Sequence, residues 1–422
     1  MEGDLVSEVE PVTATLTDDD DPFDEFNKLM GAGAVRTPYP FFAAFRKQAP
    51  VVKIDVSLMT GGTSRLLRKV PKELYMAVTH EAVSTVLRDG ATFSSSGYEE
   101  MMGVVMGHSI LEMDEPEHSR YRGLIQQAFT RKMQARWEAE LVRPIVNKLI
   151  DQFADRGRAE LVRELTFPFP VNVIAGMLGL PHADLPRFHR WAVELISVGH
   201  NWERGIAASK KLAEYFGGIL NQRRQDPQED LISLLAQAEL EGQRLSDDDI
   251  FAFLRLLLPA GAETTYRSSS NLIFGLLTHR DQLDAVREDR TLLPQAIEEG
   301  VRWECPLTSI SRTAMRDVEL LGVKIPKGAM VAVNLGSANH DETSYENPEK
   351  FDIFRKPQQH MAFAFGPHRC LGMHLAVMET TVALNAILDR LPGLRLDPEA
   401  EDVHITGQAF RAPAALPVVF DS

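Results

Sequence analysis

Two short stretches of this chain hold residues whose types and spacing suit chemistry. The first is Phe363-Ala364-Phe365-Gly366-Pro367-His368-Arg369-Cys370-Leu371-Gly372. Its cysteine is flanked by glycines, which allow backbone conformations and close approaches that a side chain would block. Backbone N–H groups in such a loop can point at the sulfur and lower the thiolate pKa, so the loop suits a thiolate presented to a metal. The competing reading is a buried structural cysteine. Cys305, beside Pro306 and with no such setting, is read that way. The second stretch is Ala260-Gly261-Ala262-Glu263-Thr264-Thr265. An acid followed by an alcohol is unusual inside an apolar helical run, and glycine there costs about 1 kcal/mol relative to alanine. Pro259 lacks an N–H and clashes with the carbonyl of Arg255, so the helix is expected to bend or open. The alternative is a helix N-terminus with Glu263 capping or paired at the surface.

Further charged residues fall at suggestive spacings. Glu299 and Arg302 are i and i+3 and can pair on one helical face, although most such pairs are solvated contacts worth little. His118 and Arg122 are i and i+4, so one face presents both. Arg312 follows the strand-like run Leu307–Ser311, and His368 precedes Cys370 by two residues. Taken singly, each could be an ordinary surface charge.

Together these stretches carry a resemblance. The spacing Phe-x-x-Gly-x-His-x-Cys-x-Gly at 363, 366, 368, 370 and 372 resembles the haem-binding loop of cytochrome P450 enzymes, and three further stretches match in the family's order. The resemblance runs from about Pro38 to the end and is closest to the soluble bacterial branch. It implies a mainly α fold with smaller β regions, the haem lying between a long central helix and the cysteine loop. It implies haem b with iron ligated by Cys370, and Phe363, Gly366, Ala260 and Gly261 against the cofactor. A cysteine thiolate on haem iron pushes electron density onto the metal and favours O–O cleavage. By the same resemblance His118, Arg122, Arg312 and His368 lie near the haem propionates. Thr264 becomes the hydrogen-bond donor and Glu263 the proton relay of oxygen activation, which needs two protons. Glu299 and Arg302 become a buried structural pair holding the segment that leads to the cysteine. Ala364 stands where the family commonly has glycine, Pro259 is less usual, and Trp303 replaces a frequent tyrosine.

The activity so implied is insertion of one oxygen atom of O2 into an apolar small molecule such as a fatty acid, terpenoid or steroid-like compound. Electrons would come from NAD(P)H through a ferredoxin reductase and an iron–sulfur ferredoxin, since the chain shows no flavin or nicotinamide fingerprint. Arg120, Arg131, Lys132 and Arg369 are candidates for the surface that meets an acidic ferredoxin. A peroxide-driven peroxygenase and a haem-binding sensor without turnover are the other readings. The Glu263-Thr264 pair weighs against both. Candidate substrate contacts are Met101, Met102, Val105 and Ile110 in an apolar stretch without clean period, Leu257 and Thr265 on the long helix, and Leu307, Ile310 and Phe410. For each, plain core packing is an equal alternative.

The elements that must position these residues can be outlined. Short helices are expected near 40–48 and 80–88, and strands at 51–57 and 74–79. Residues 91–112 show no clear period. Helices dominate from 116 to 305. The longest starts after Ser246, a plausible N-cap ahead of Asp247, Asp248 and Asp249, whose charges suit the positive end of a helix dipole. It runs to about Leu277. Strands are expected at Val318–Leu321 and Met330–Leu335, a helix from Cys370 to about Leu391, and last strands near 402–406 and 416–420. Residues 1–24 are read as a disordered acidic tail and 25–422 as a single domain.

Composition narrows the classes. The chain has 422 residues, 44% of them hydrophobic, and a net charge of −15. That charge disfavours nucleic acid as a partner. Two cysteines give no disulfide framework and suit a reducing cytoplasm. The acidic N-terminus has no apolar core of a signal peptide, and no run of 18 apolar residues suggests a membrane span. A monomer is the default, with no strong association seam visible.

Overall fold

The computed structural model describes residues 35–54, 73–196 and 202–421. The expected acidic tail lies outside them. A five-stranded sheet at one side contains β1 (Val51–Ile54), β2 (Leu74–Ala77), β3 (Phe93–Ser94), β4 (Ser309–Ala314) and β5 (Met330–Asn334) in the order β1-β2-β5-β4-β3. The β5–β2 pairing is parallel and the others antiparallel. A compact apolar core under this sheet includes Val331, Val333, Phe93 and Cys305. Arg312, expected just after a strand, sits inside β4 opposite Val331. The ladder extends to Ala314 because its backbone groups find partners in both β5 and β3.

The larger core lies among helices. Those that matter for the site are α1 (Tyr39–Gln48), α2 (His80–Arg88), α3 (Glu117–Gln126), α4 (Trp202–Gln225), α5 (Asp247–Leu258), α6 (Thr264–Thr278), α7 (Leu293–Trp303) and α8 (Met373–Arg390). Ser246 caps α5 through a reciprocal capping box with Asp249, which satisfies two otherwise orphaned N–H groups. The long helix expected from the Ser246 cap to about Leu277 is divided where Pro259 is expected to bend or open it. Pro259–Glu263 forms a π-turn between α5 and α6, because Pro259 cannot donate the α-helical bond and the widened turn absorbs the missing link.

α6 runs through the interior. Its polar run Ser268–Asn271 is buried, and buried polar groups need partners. Ser270 shares a hydrogen bond with Thr166 at 2.7 Å, Ser269 donates to the Thr265 carbonyl at 2.8 Å, and Asn271 donates to the carbonyls of Glu304 and Arg411. The aperiodic segment 91–112 contains β3, a π-turn at Glu99–Gly103 and one helical turn at Val104–Met106. The strands expected at 318–321 and 330–335 stop one residue early. Leu321 has a positive φ of 49°, and Asn334 instead caps a short helix at Leu335–Ala338. Among the described residues, no helix is long and apolar enough to cross a membrane.

Candidate active site

The cysteine loop is held by its own backbone. Cys370 N donates to the Phe363 carbonyl at 2.9 Å, Arg369 N to Gly366 at 3.1 Å, and Ala364 N to Met361 at 2.9 Å. Gly366 adopts a φ of +74°, and a Cβ there would stand 2.3 Å from the Leu87 carbonyl oxygen of α2. The loop therefore needs glycine at that place to lie against α2. Ala364 holds a φ of +54°, a left-handed conformation that costs a non-glycine residue on the order of 1–2 kcal/mol.

Cys370 is exposed, yet protein packs closely around it. Burial pushes its thiol up, opposed by the N–H groups of Gly372 and Met373 and the guanidiniums of Arg122 and Arg369. A coordinated metal cation reverses that balance, because a ligating thiol gives up its proton. Cys305 differs. It is fully buried under the sheet, its thiol is pushed up to about 12, and it donates to the Leu307 carbonyl at 2.9 Å.

Basic residues converge on the inner side of the loop. The rings of His118 and His368 stack with centroids 4.0 Å apart. His368 Nε2 is 3.1 Å from Ser95 Oγ, and His118 Nδ1 is 3.2 Å from Glu115. Arg122 donates to the Arg369 carbonyl at 2.7 Å. Arg312 donates to its neighbour's carbonyl, Ser311, at 2.7 Å, while Ser311 N bonds the Tyr98 hydroxyl at 2.9 Å. Burial pushes His368 down to about 3, helped by the charges of His118, Arg312 and Arg122. His118 Nε2 is buried with no partner, and neither Arg122 nor Arg312 has a carboxylate in ion-pair reach among the described residues. Such unmatched donors beside an accessible thiol fit a flat, doubly anionic metal complex. Ser95 and Tyr98 carry no signal in the sequence, since neither falls in a motif.

The acid and alcohol lie at the π-turn. Thr264 Oγ1 donates to the Ala260 carbonyl at 2.7 Å. Ala260 itself is exposed within the helix run, whereas the Cβ position of Gly261 lies 3.0 Å from Ile174. Glu263 is neither a cap nor at the surface. It is 3% exposed and its Oε1 accepts from Arg267 Nε at 2.7 Å and from Nη2. Burial raises the Glu263 carboxyl, opposed by Arg267. Arg267 was legible only as an i+4 partner. The pair Glu299–Arg302 is buried within α7, with contacts of 2.7 and 2.8 Å.

The expected substrate contacts divide. Met102, Ile110, Leu257, Leu307, Ile310 and Phe410 are half-buried. Phe410 bridges to Leu307 in the backbone and its ring lies 5.5 Å from the Arg267 guanidinium. Val105 is a correction. It has no accessible surface, because the single turn Val104–Met106 points Val104 outward, 59% exposed, and Val105 into the core. Thr265 is likewise buried. The side chain of Met101 lies outside the described residues. A cavity of about 300 Å³ lies on the outer side of the cysteine loop, lined by Glu298, His360, Phe363, Ala364, Arg369 and Met373 among others. It is separate from the Thr264 side.

The Cytochrome P450 family pattern matches residues 186–405. The chain is 36% identical over 354 residues to a steroid C26-monooxygenase of Mycolicibacterium smegmatis, covering 82% of this chain and 88% of that protein. It is 35% identical over 376 residues to mycinamicin IV hydroxylase/epoxidase of Micromonospora griseorubida, covering 86% and 93%. The crystal structure of CYP109E1 from Bacillus megaterium with testosterone superposes with a TM-score of 0.81 at 32% identity, covering 92% of this chain and all of that one. A glycine-bounded cysteine loop with His118, His368, Arg122 and Arg312 gathered beside it suits a haem-thiolate oxygenase. The chain belongs to the cytochrome P450 family. It is an oxidoreductase with haem as cofactor, held through a cysteine thiolate.

Proposed function

We propose that the enzyme inserts one oxygen atom of O2 into a C–H bond of an apolar small molecule, with electrons from NAD(P)H through a ferredoxin reductase and an iron–sulfur ferredoxin. The carrying observation is Glu263 buried next to Thr264 at the π-turn. Bound haem supplies the iron at which O2 is reduced. Arg122, Arg312, His118 and His368 hold its two propionates, and Phe363, Gly366 and Ala260 pack against it. Thr264 holds a proton at Oγ1, now given to the Ala260 carbonyl. Rotation away from that carbonyl frees the hydroxyl to act as a donor. Glu263, whose carboxyl burial holds above the usual range, resupplies that proton.

Half-buried Met102, Ile110, Leu257, Leu307, Ile310 and Phe410 form the apolar wall that orients substrate and limits water. The names of the steroid and mycinamicin relatives support a large apolar molecule. The exposed Arg120, Arg131, Lys132 and Arg369, with the cavity outside the loop, form the face for an acidic ferredoxin. We place the enzyme in the cytoplasm as a monomer.

Reconstitution with ferredoxin, reductase and NAD(P)H tests this reading. Product should match NAD(P)H use in the native enzyme. Thr264→Ala should keep NAD(P)H use while product falls roughly tenfold or more and peroxide accumulates. Full product yield from Thr264→Ala would remove the assigned role. Product from added peroxide alone, with no gain from ferredoxin, would favour a peroxygenase.

A further inference from the structure

Buried arginines in this protein have carboxylate partners almost throughout. Arg46 pairs with Glu342, Arg223 with Asp230, Arg267 with Glu263, Arg302 with Glu299 and Arg411 with Glu304. That is expected, since a charge removed from water needs compensation. Arg122 and Arg312 lack such partners, and the cysteine loop beside them accounts for that. One further half-buried arginine, Arg255 on α5, has no carboxylate in ion-pair reach among the described residues.

Arg255 is held in place by neutral groups. Its Nε donates to the Phe251 carbonyl at 3.2 Å and its Nη1 to Ser209 Oγ of α4 at 3.0 Å. Ser209 in turn donates to the Val105 carbonyl. The guanidinium thus joins α4, α5 and the Met-rich segment around 101–110, the segment proposed to cover the substrate. Gly107 makes room for it. Its φ is +82°, and a Cβ there would lie 2.7 Å from Arg255 Nη2. Burial lowers the pKa of the guanidinium, and the exposed Asp248 offsets this from a distance without forming an ion pair. Neutral hydrogen bonds fix the side chain but leave its charge uncompensated.

We propose that Arg255 receives the carboxylate of an elongated apolar substrate at the end remote from the reacting carbon. This rests on the monooxygenase reading above and names the substrate class for that site. Arg255 precedes Thr264 by nine residues, about 13 Å along a helix axis, so one ligand can meet both only if it is long. Nε and Nη1 are engaged, and Nη2 makes no hydrogen bond among the described residues, which leaves a charged donor for a carboxylate oxygen.

The test is spectral titration of the ferric haem-loaded enzyme with palmitic acid and with methyl palmitate. The native enzyme should bind the acid at least about tenfold more tightly than the ester. Arg255→Gln should bind the acid as weakly as the ester, with ester binding unchanged. Arg255→Lys should keep the preference for the acid. Imidazole titration and thermal unfolding show whether each variant is folded with its haem accessible. Equal binding of acid and ester by the native enzyme would overturn the proposal. So would an acid preference that survives Arg255→Gln, or failure of both lipids where imidazole binds. Loss of the imidazole response in the native enzyme would instead break the haem reading on which the proposal stands.

Discussion

Two buried glutamate–arginine pairs, one within α7 and one across the junction of the π-turn and α6, do different work. Glu299 and Arg302 of α7 tie distant chain together. Arg302 donates to the carbonyls of Asn339, Pro348 and Lys350, and Glu299 also accepts from Asp352 N at 2.9 Å and Arg355 at 3.3 Å. Glu263 closes the π-turn and Arg267 lies in the first turns of α6, and both Nε and Nη2 of Arg267 donate to one oxygen, Oε1. The Arg267 guanidinium lies 4.8 Å from the Tyr266 ring and 5.5 Å from Phe410. Burying an ion pair carries a desolvation penalty that only a full set of hydrogen bonds offsets. The first pair has that set and acts as a staple. The second takes both arginine bonds on a single oxygen at the edge of the π-turn, where we propose that the group exchanges a proton.

The largest expected effect breaks the staple. Arg302→Leu leaves buried Glu299 with Arg355 as its remaining cation among the described residues and frees the carbonyls of Asn339 and Pro348, a loss of about 3–5 kcal/mol. Chemical denaturation should show it, together with poor haem retention, because residues 339–352 lead toward the cysteine loop. A loss below about 1 kcal/mol would mean that Arg355 alone can hold Glu299.

A third buried carboxylate sharpens the contrast, because it has no cationic partner among the described residues. Glu379 on α8 is 3% exposed, and burial pushes its carboxyl up to about 8. The unfolded chain ionises near the ordinary carboxylate value, while the folded chain keeps the proton until about pH 8. Stability should therefore fall as pH rises between these values and level off above them. Glu379→Gln mimics the protonated form. It should match the native protein near pH 5 and exceed it near pH 8 by on the order of a few kcal/mol. An equal difference at both pH values would mean that Glu379 is ionised in the folded protein.

Much of this arrangement was legible because its determinants are local. The Ser246 cap, the helix at 80–88 and the glycine-bounded Cys370 loop each follow from residues within one or two turns. Pro259 announced a break in the long helix, and the break took the form of a π-turn. The rest depends on distant partners. That Val105 faces inward is set by packing on a single helical turn, too short to show a period. That Arg312 lies within a strand is set by neighbours on both sides of β4. The stacking of His118 on His368 joins residues 250 positions apart. Arg267 had the right spacing from Glu263, but spacing alone could not tell a buried pair from a solvated one.

The smallest effect on stability should come from Glu263→Gln, and it probes the comparison most directly. Glutamine keeps the size of the side chain and can still accept from Arg267, so the pair loses its charge but not its shape. Removing the buried carboxylate charge also removes its desolvation penalty, while Arg267 loses that counter-charge and keeps the two aromatic rings that partly stabilise it. These terms oppose one another, and the net change should be about 1–2 kcal/mol or less. Proton supply has no such compensation, because an amide cannot serve as the acid. Product formed per NAD(P)H should drop roughly tenfold or more, and the solvent isotope effect on turnover should rise. A large loss of stability with normal coupling would show that Glu263, like Glu299, is a staple.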